Sequence, residues 1–304
     1  MHGDRFVDAH DGIRIAVRDH GGDGRDLVLL HGAGTHLLSV FNVARKLEGG
    51  FRVVSMDARW SGQSGDSPTY SWDDLVHDVE AVVDGLGLDD PVVVGHSWGG
   101  MIAAHYGAAH PDAPAVVNLD GHGSGDASLY DGVTAEEYER FRVLLAETNE
   151  ASVASVNEGD ETWLAAAKDE FRAMTSVMGV PPTMVEEWTD RTFVDLGHGR
   201  WRRHPSPPLF EGLRGDLDLF SLYRRVECPL QIFNCTADAP GLPPEMAPFM
   251  SAYRRGLSRA LRDLAEERPN VDIVELPDFH HNGVLARGAG PAVDAIRRFV
   301  AAVA

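Results

Sequence analysis

The sequence predicts an α/β fold built on a mostly parallel sheet. Three observations carry that prediction. Short apolar, β-branched runs alternate with helical runs through both ends of the chain; several of those runs are apolar on both faces, as buried parallel strands are; and each ends in a turn of glycine and polar residues.

In order, Phe6 to Ala9 and Ile13 to Asp19 alternate in polarity across Asp11-Gly12 and read as an antiparallel hairpin. Leu27-Val28-Leu29-Leu30 is a buried strand ending at His31-Gly32-Ala33-Gly34, and Phe51-Arg52-Val53-Val54-Ser55-Met56 is the next, leading into a polar loop whose Asp57 and Arg59 read as scaffold. Ser71 caps a helix with Asp73 and Asp74 in its first turn and an apolar stripe through Leu75, Val79, Val82, Val83 and Leu86. Val92-Val93-Val94 and Ala115-Val116-Val117-Asn118-Leu119 are strands, the second ending at Asp120.

From residue 124 to residue 225 the alternation stops. Helical stripes replace it, at 136–147, at 162–178 with Trp163 and Met178 on its apolar face, and around Trp188; residues 198–208, rich in Arg, His and Pro, read as an exposed connection. The rhythm resumes with Leu230-Gln231-Ile232-Phe233-Asn234, a helix over about 244–267, the strand Val271-Asp272-Ile273-Val274-Glu275-Leu276 and a final helix. The organisation expected is a core of residues 1–123 and 226–304 with a helical cap, or lid, over 124–225.

The stretch with the strongest chemical signal is Gly95-His96-Ser97-Trp98-Gly99, between a strand and a helix. A serine at the tip of so sharp a turn is exposed for attack, and its strained backbone crowds the positions two residues away on each side, where only small residues fit. Both are glycine. The Trp98 N–H opens the following helix, where free N–H groups and the helix dipole favour negative charge, and the glycine-flanked turn at Ala33 can aim a second N–H into the same place. Ala33, Ser97, Asp238 and His281 all follow predicted strands, and a parallel sheet collects such positions at one edge.

At 304 residues with 43% hydrophobic composition the chain can bury a large core, and 47 acidic against 27 basic residues give a net charge of -20. That charge repels phosphate backbones and anionic membranes, which argues against nucleic-acid binding. Cys228 and Cys235 straddle one strand, too far apart to bridge, and no stretch has the length and apolarity of a signal peptide or a membrane span. The expectation is a cytoplasmic protein whose partner is a small-molecule substrate, without nucleic acid or membrane.

Through His31-Gly32-Ala33-Gly34, the turn from Gly95 to Gly99, the acid turn at Asp238 and the histidine loop at His280-His281, the chain resembles the α/β-hydrolase superfamily over nearly its full length. The resemblance implies an eight-stranded, mostly parallel sheet flanked by helices, a helical cap, and a catalytic triad of Ser97, Asp238 and His281 with Ala33 and Trp98 as the oxyanion hole. Asp120 also ends a strand, and some branches of the superfamily place their acid there; Asp238 is favoured, with Asp120 as a wall of the site or a strand-end helix partner. Laying the last strand against the superfamily's usual pattern puts His281, rather than His280, at the catalytic histidine. His31, His96, Asp120, Trp163, Trp188 and His280 are the expected pocket residues. The chemistry implied is hydrolysis of an ester, thioester or lactone of a mainly apolar small molecule with no cofactor and no metal; carbon–carbon bond hydrolysis or a lyase reaction on the same triad, and a non-hydrolytic small-molecule receptor, are the alternatives.

Overall fold

The structure, a computed structural model, describes residues 4–67, 71–123, 126–154, 158–177, 180–204, 218–286 and 289–303. Its main sheet has eight strands: β1 (Arg5–Asp8), β2 (Arg14–Gly21), β3 (Arg25–Leu30), β4 (Phe51–Met56), β5 (Val92–His96), β6 (Val116–Leu119), and, after the three strands of a smaller sheet, β10 (Leu230–Cys235) and β11 (Val271–Leu276). The order across the sheet is β1-β2-β4-β3-β5-β6-β10-β11. β2 alone is reversed, pairing antiparallel with both β1 and β4, and Gly12 at φ +80° closes the hairpin between β1 and β2. From β4 to β11 the strands are parallel, so their carboxyl ends line up along one edge.

Nine α-helices lie among the described residues: α1 (Phe41–Leu47), α2 (Trp72–Leu86), α3 (Trp98–Ala109), α4 (Ala135–Ala154), α5 (Glu161–Val177), α6 (Val185–Thr192), α7 (Leu219–Arg225), α8 (Ala247–Glu267) and α9 (Ala289–Val303). Strand alternation sorts the core into two layers. Leu27, Leu29, Val53, Val92, Val94 and Val117 face α1 and α9, while Val28, Leu30, Val54, Met56, Val93 and Val116 face α2, α3, α7 and α8. Ser71 caps α2 as its sequence requires, accepting the Asp74 N–H at 3.0 Å, and Gly87 ends the helix in the left-handed region at φ +59°.

Between β6 and α7 the chain adds α4 to α6 and a second sheet of three strands in the order β7-β9-β8: β7 (Glu158–Gly159), β8 (Phe193–Gly197) and β9 (Arg200–Arg203). This sheet departs from the all-helical reading of the segment. Its hairpin turns through Gly197, His198 and Gly199, all at positive φ, and pairs Phe193 with Arg203 and Asp195 with Trp201, so part of the stretch read as an exposed connection is a strand. Met178 and residues 205–208 lie outside the described residues.

The added segment is seated on the core in two ways. Phe171, Val180, Met184 and Trp188 form an apolar cluster with Leu37 and Leu38. Beside it, Arg191 of α6, 1% exposed, reaches the buried Asp57 at 2.5 Å and also pairs with Asp4. Asp57 holds the Leu37 N–H at 2.7 Å and the Gln63 N–H at 2.9 Å, and Arg59 pairs with Asp78 through two bonds of 2.7 Å, so the loop after β4 is scaffold, as its sequence suggests.

Candidate active site

β5 delivers Ser97 to the carboxyl edge of the sheet. Its backbone is at φ +55°, and a Cβ at Gly95 would lie 1.9 Å from the Gly99 carbonyl oxygen, one at Gly99 2.6 Å from the His31 carbonyl oxygen. The turn therefore needs both glycines, and the strain it stores at Ser97 keeps the hydroxyl at the apex. Gly100 and Met101 N–H groups bond back to the Ser97 carbonyl at 2.8 and 3.2 Å and start α3.

His281, five residues beyond β11, brings Nε2 to 2.9 Å from Ser97 Oγ. Its Nδ1 lies 2.7 Å from Asp120 Oδ2. The sequence preference for Asp238 is thereby corrected. Asp238 stands three residues past β10 in an exposed loop, its side chain 62% exposed and paired with Arg254 of α8. Asp120 follows β6 directly, is 6% exposed, and its Oδ1 also accepts the Cys235 N–H at 2.6 Å. β6 lies next to β5, so an acid at its tip is within a histidine's width of the serine, whereas the extra residues after β10 carry Asp238 outward.

Burial by itself would raise the Asp120 pKa; the hydrogen bond from His281, the nearby His122 and the Cys235 N–H outweigh it and hold the carboxylate below its ordinary value. Asp120 sits at φ +60°, a backbone state supported by Asn118. The Asn118 amide accepts from the Gly121 N–H at 2.6 Å and donates to the Gly121 carbonyl at 2.9 Å and the Tyr223 hydroxyl at 2.7 Å. A polar residue inside the otherwise apolar run Val116-Val117-Asn118-Leu119 is the sequence signal for this clamp, one that a strand pattern alone does not single out.

The expected pocket residues have more specific places. His96, 3% exposed, has its Nε2 3.0 Å from the His281 carbonyl oxygen; since a carbonyl only accepts, Nε2 carries the proton, and burial lowers its pKa to about 3, so the ring is a neutral brace for the histidine loop. His31 is 1% exposed, with both ring nitrogens bonded to backbone: Ala58 N–H to Nε2 at 3.0 Å and Nδ1 to the Gly32 carbonyl at 2.7 Å. His280 packs against Gly283, its Nδ1 accepting the Gly283 N–H at 3.3 Å. Trp188 is packed in the cluster on Leu37 and Leu38, edge-on to His36 at 5.0 Å, and Trp163 packs on Gly159 and edge-on to Phe193 at 5.9 Å. The Ala33 turn lies against Ser97, since a Cβ on Gly32 would be 3.1 Å from Ser97 Cβ.

Among the described residues, His10, Asp11 and Asp74 bring possible metal-ligand atoms within 4.8 Å of one another, but Arg59 Nη1 already bonds Asp11 there at 3.0 Å. No helix among the described residues is long and apolar enough to cross a membrane.

A family model described as alpha/beta hydrolase fold matches residues 27–158. That match and the strand order agree on the fold. The chain has the α/β-hydrolase fold. Over 99% of both chains it superposes on the crystal structure of E-2-(acetamidomethylene)succinate hydrolase with a TM-score of 0.70 and 20% identity. It is 27% identical over 267 residues to the pimeloyl-[acyl-carrier protein] methyl ester esterase of Chromobacterium violaceum, covering 86% of this chain and 88% of that one. Epoxide hydrolase 4 of Mus musculus is 35% identical over 106 residues, 33% of this chain and 29% of the relative. The chain spans 29%, 41% and 53% of the lengths of three of the curated relatives it matches.

Proposed function

We propose that this α/β-hydrolase is a cofactor-independent serine hydrolase acting through an acyl-enzyme on an ester, thioester or lactone of a mainly apolar small molecule. The observation that carries the reading is the relay from Ser97 Oγ to His281 Nε2 at 2.9 Å and from His281 Nδ1 to Asp120 at 2.7 Å. Asp120 accepts the Nδ1 proton, which leaves a lone pair on Nε2 facing the serine. Ser97 Oγ then attacks the carbonyl carbon while Nε2 takes its proton, and Asp120 stabilises the imidazolium that forms.

The tetrahedral oxyanion is held by the N–H groups of Trp98, at the start of α3, and Ala33. Collapse breaks the bond to the leaving group, which takes the proton from Nε2. A water activated by the same nitrogen attacks the acyl carbonyl, and the acid product leaves with Ser97 restored. The described residues between β6 and α7 serve as a cap over this edge of the sheet, anchored beside the Ala33 turn through Leu37, Leu38 and Asp57. Serine at position 97 supplies the nucleophile for acyl transfer, and the ester-cleaving activity in the name of the Chromobacterium violaceum relative supports the same chemistry.

The test is a panel of p-nitrophenyl esters and acyl thioesters of graded chain length, with fluorophosphonate labelling of the wild type and Ser97→Ala. Turnover and labelling confined to the wild type support the reading. Equal turnover in Ser97→Ala overturns it.

A further inference from the structure

We propose that His31 and Thr35 are positioning residues that aim the Ala33 N–H at the oxyanion, an inference that rests on the serine-hydrolase reading of Ser97. The Ala58 N–H can only donate, so His31 Nε2, 3.0 Å away, must present a lone pair. The neutral ring then carries its proton on Nδ1 and donates it to the Gly32 carbonyl oxygen at 2.7 Å. Backbone groups on both sides fix the ring's proton without reference to any ligand. Burial, the largest influence, lowers the His31 pKa against the opposing pull of Asp57, which keeps the ring in this neutral form.

Thr35 adds a second donor to the same oxygen, its Oγ1 lying 2.9 Å from the Gly32 carbonyl, with the Ser39 hydroxyl 3.1 Å behind it. The Gly32 carbonyl belongs to the peptide unit that contains the Ala33 N–H. In a planar trans peptide the carbonyl and the N–H point in opposite directions, so two donors that hold the oxygen also fix where the N–H points. That peptide is beside the nucleophile: a Cβ on Gly32 would lie 3.1 Å from both Ser97 Cβ and His96 Nδ1. The turn His31-Gly32-Ala33-Gly34 has two glycines and Gly34 at φ +76°, so it lacks the side-chain bulk that would otherwise hold one peptide orientation. A rotation of this peptide would strand both donors on the buried side and remove the N–H from the oxyanion. His31, expected in the substrate pocket, therefore acts from behind the turn and touches the reaction only through a backbone N–H.

The experiment separates the two bonds of His31 by the length of the replacement. In His31→Asn the amide nitrogen takes the place of Nδ1 and keeps the bond to Gly32; in His31→Gln the amide reaches the Nε2 position and keeps only the partner at Ala58. Thr35→Val removes the second donor at nearly constant volume. Steady-state ester hydrolysis is measured together with the affinity for an aryl trifluoromethyl ketone, whose adduct with Ser97 carries an oxyanion, and for the carboxylate product. The expectation is a fall in kcat of about 100-fold for His31→Gln and about 5- to 10-fold for Thr35→Val, near or below the cost of losing one oxyanion donor. KM and product affinity stay within about threefold, ketone affinity falls in parallel with kcat, and His31→Asn recovers most of the loss.

If the wild type is active and binds the ketone while Thr35→Val and His31→Gln lose neither kcat nor ketone affinity, the positioning role is overturned and the serine-hydrolase reading stands. If the wild type neither turns over esters nor binds the ketone, that reading fails and takes this proposal with it. Should the His31 variants not fold, Thr35→Val decides: unchanged kcat and ketone affinity overturn the proposal.

Discussion

Replacing Asp120 by asparagine changes one atom, and the structure says which way the new amide will face. The carboxylate has two fixed partners: Cys235 N–H at Oδ1, 2.6 Å away, and His281 Nδ1 at Oδ2, 2.7 Å away. The Cys235 N–H is a backbone donor and cannot adapt, so the asparagine oxygen stays with it and the NH2 group turns to His281. Nδ1 must then accept, which moves the imidazole proton to Nε2, where it faces Ser97 Oγ and cannot take the serine proton. The lost tautomer and the lost stabilisation of the imidazolium together lower kcat by about four orders of magnitude, or roughly 5 kcal/mol of barrier. Asp238→Asn removes an exposed ion pair with Arg254 and should change kcat by less than about twofold and stability by no more than about 1 kcal/mol. The assay is steady-state ester hydrolysis by both purified variants, with folding checked by thermal unfolding. A dead Asp238→Asn beside an active Asp120→Asn refutes the reasoning.

Three further outcomes follow from the same contacts. Arg191→Met leaves Asp57 buried without its cation and should cost about 3–5 kcal/mol in a denaturant titration, with proteolysis opening first between β6 and α7. Asn118→Ala strands the Gly121 N–H and the Tyr223 hydroxyl in the core; it should lose about 2–3 kcal/mol of stability and lower kcat more than it raises KM, because the turn carrying Asp120 loosens. Burial holds His96 at a pKa of about 3 and His204 at about 4, with Asp66 only partly offsetting the shift at His204, so the folded state stays unprotonated where the unfolded chain, near 6.5, takes up protons. Stability should therefore be level above about pH 6.5 and fall as the pH drops toward 4, by up to about 1.4 kcal/mol per unit for each histidine. Urea midpoints of His204→Gln should show a slope shallower by about one proton.

The sequence shows the parts of this site that depend on local strain and misses those that depend on reach. Ser97 is legible because its turn tolerates only glycine at 95 and 99, and the geometry repeats that demand. His281 is legible from the register of the last strand. The carboxylate partner of His281 is not: Asp120 and Asp238 both follow strands, and the choice depends on β6 lying beside β5 and on three residues of loop after β10, distances that one chain of letters does not carry. Likewise His31 and His96 read as pocket residues because they flank the chemistry, yet their rings are bonded to backbone behind it. The hairpin of β8 and β9 was hidden because Arg200, Arg202 and Arg203 make its second strand look like an exposed loop, while the turn that defines it, Gly197-His198-Gly199, was present in the sequence.

The central claim is that Ser97 forms a covalent acyl-enzyme, and intact-protein mass spectrometry of acid-quenched reactions with p-nitrophenyl acetate measures it directly. The prediction is a mass increase of one acetyl group within the first turnover, located by peptide mapping on Ser97, absent in Ser97→Ala, and formed far more slowly in His281→Ala. Ester turnover with no adduct on Ser97 at any quench time, or an adduct of equal yield in Ser97→Ala, would contradict it.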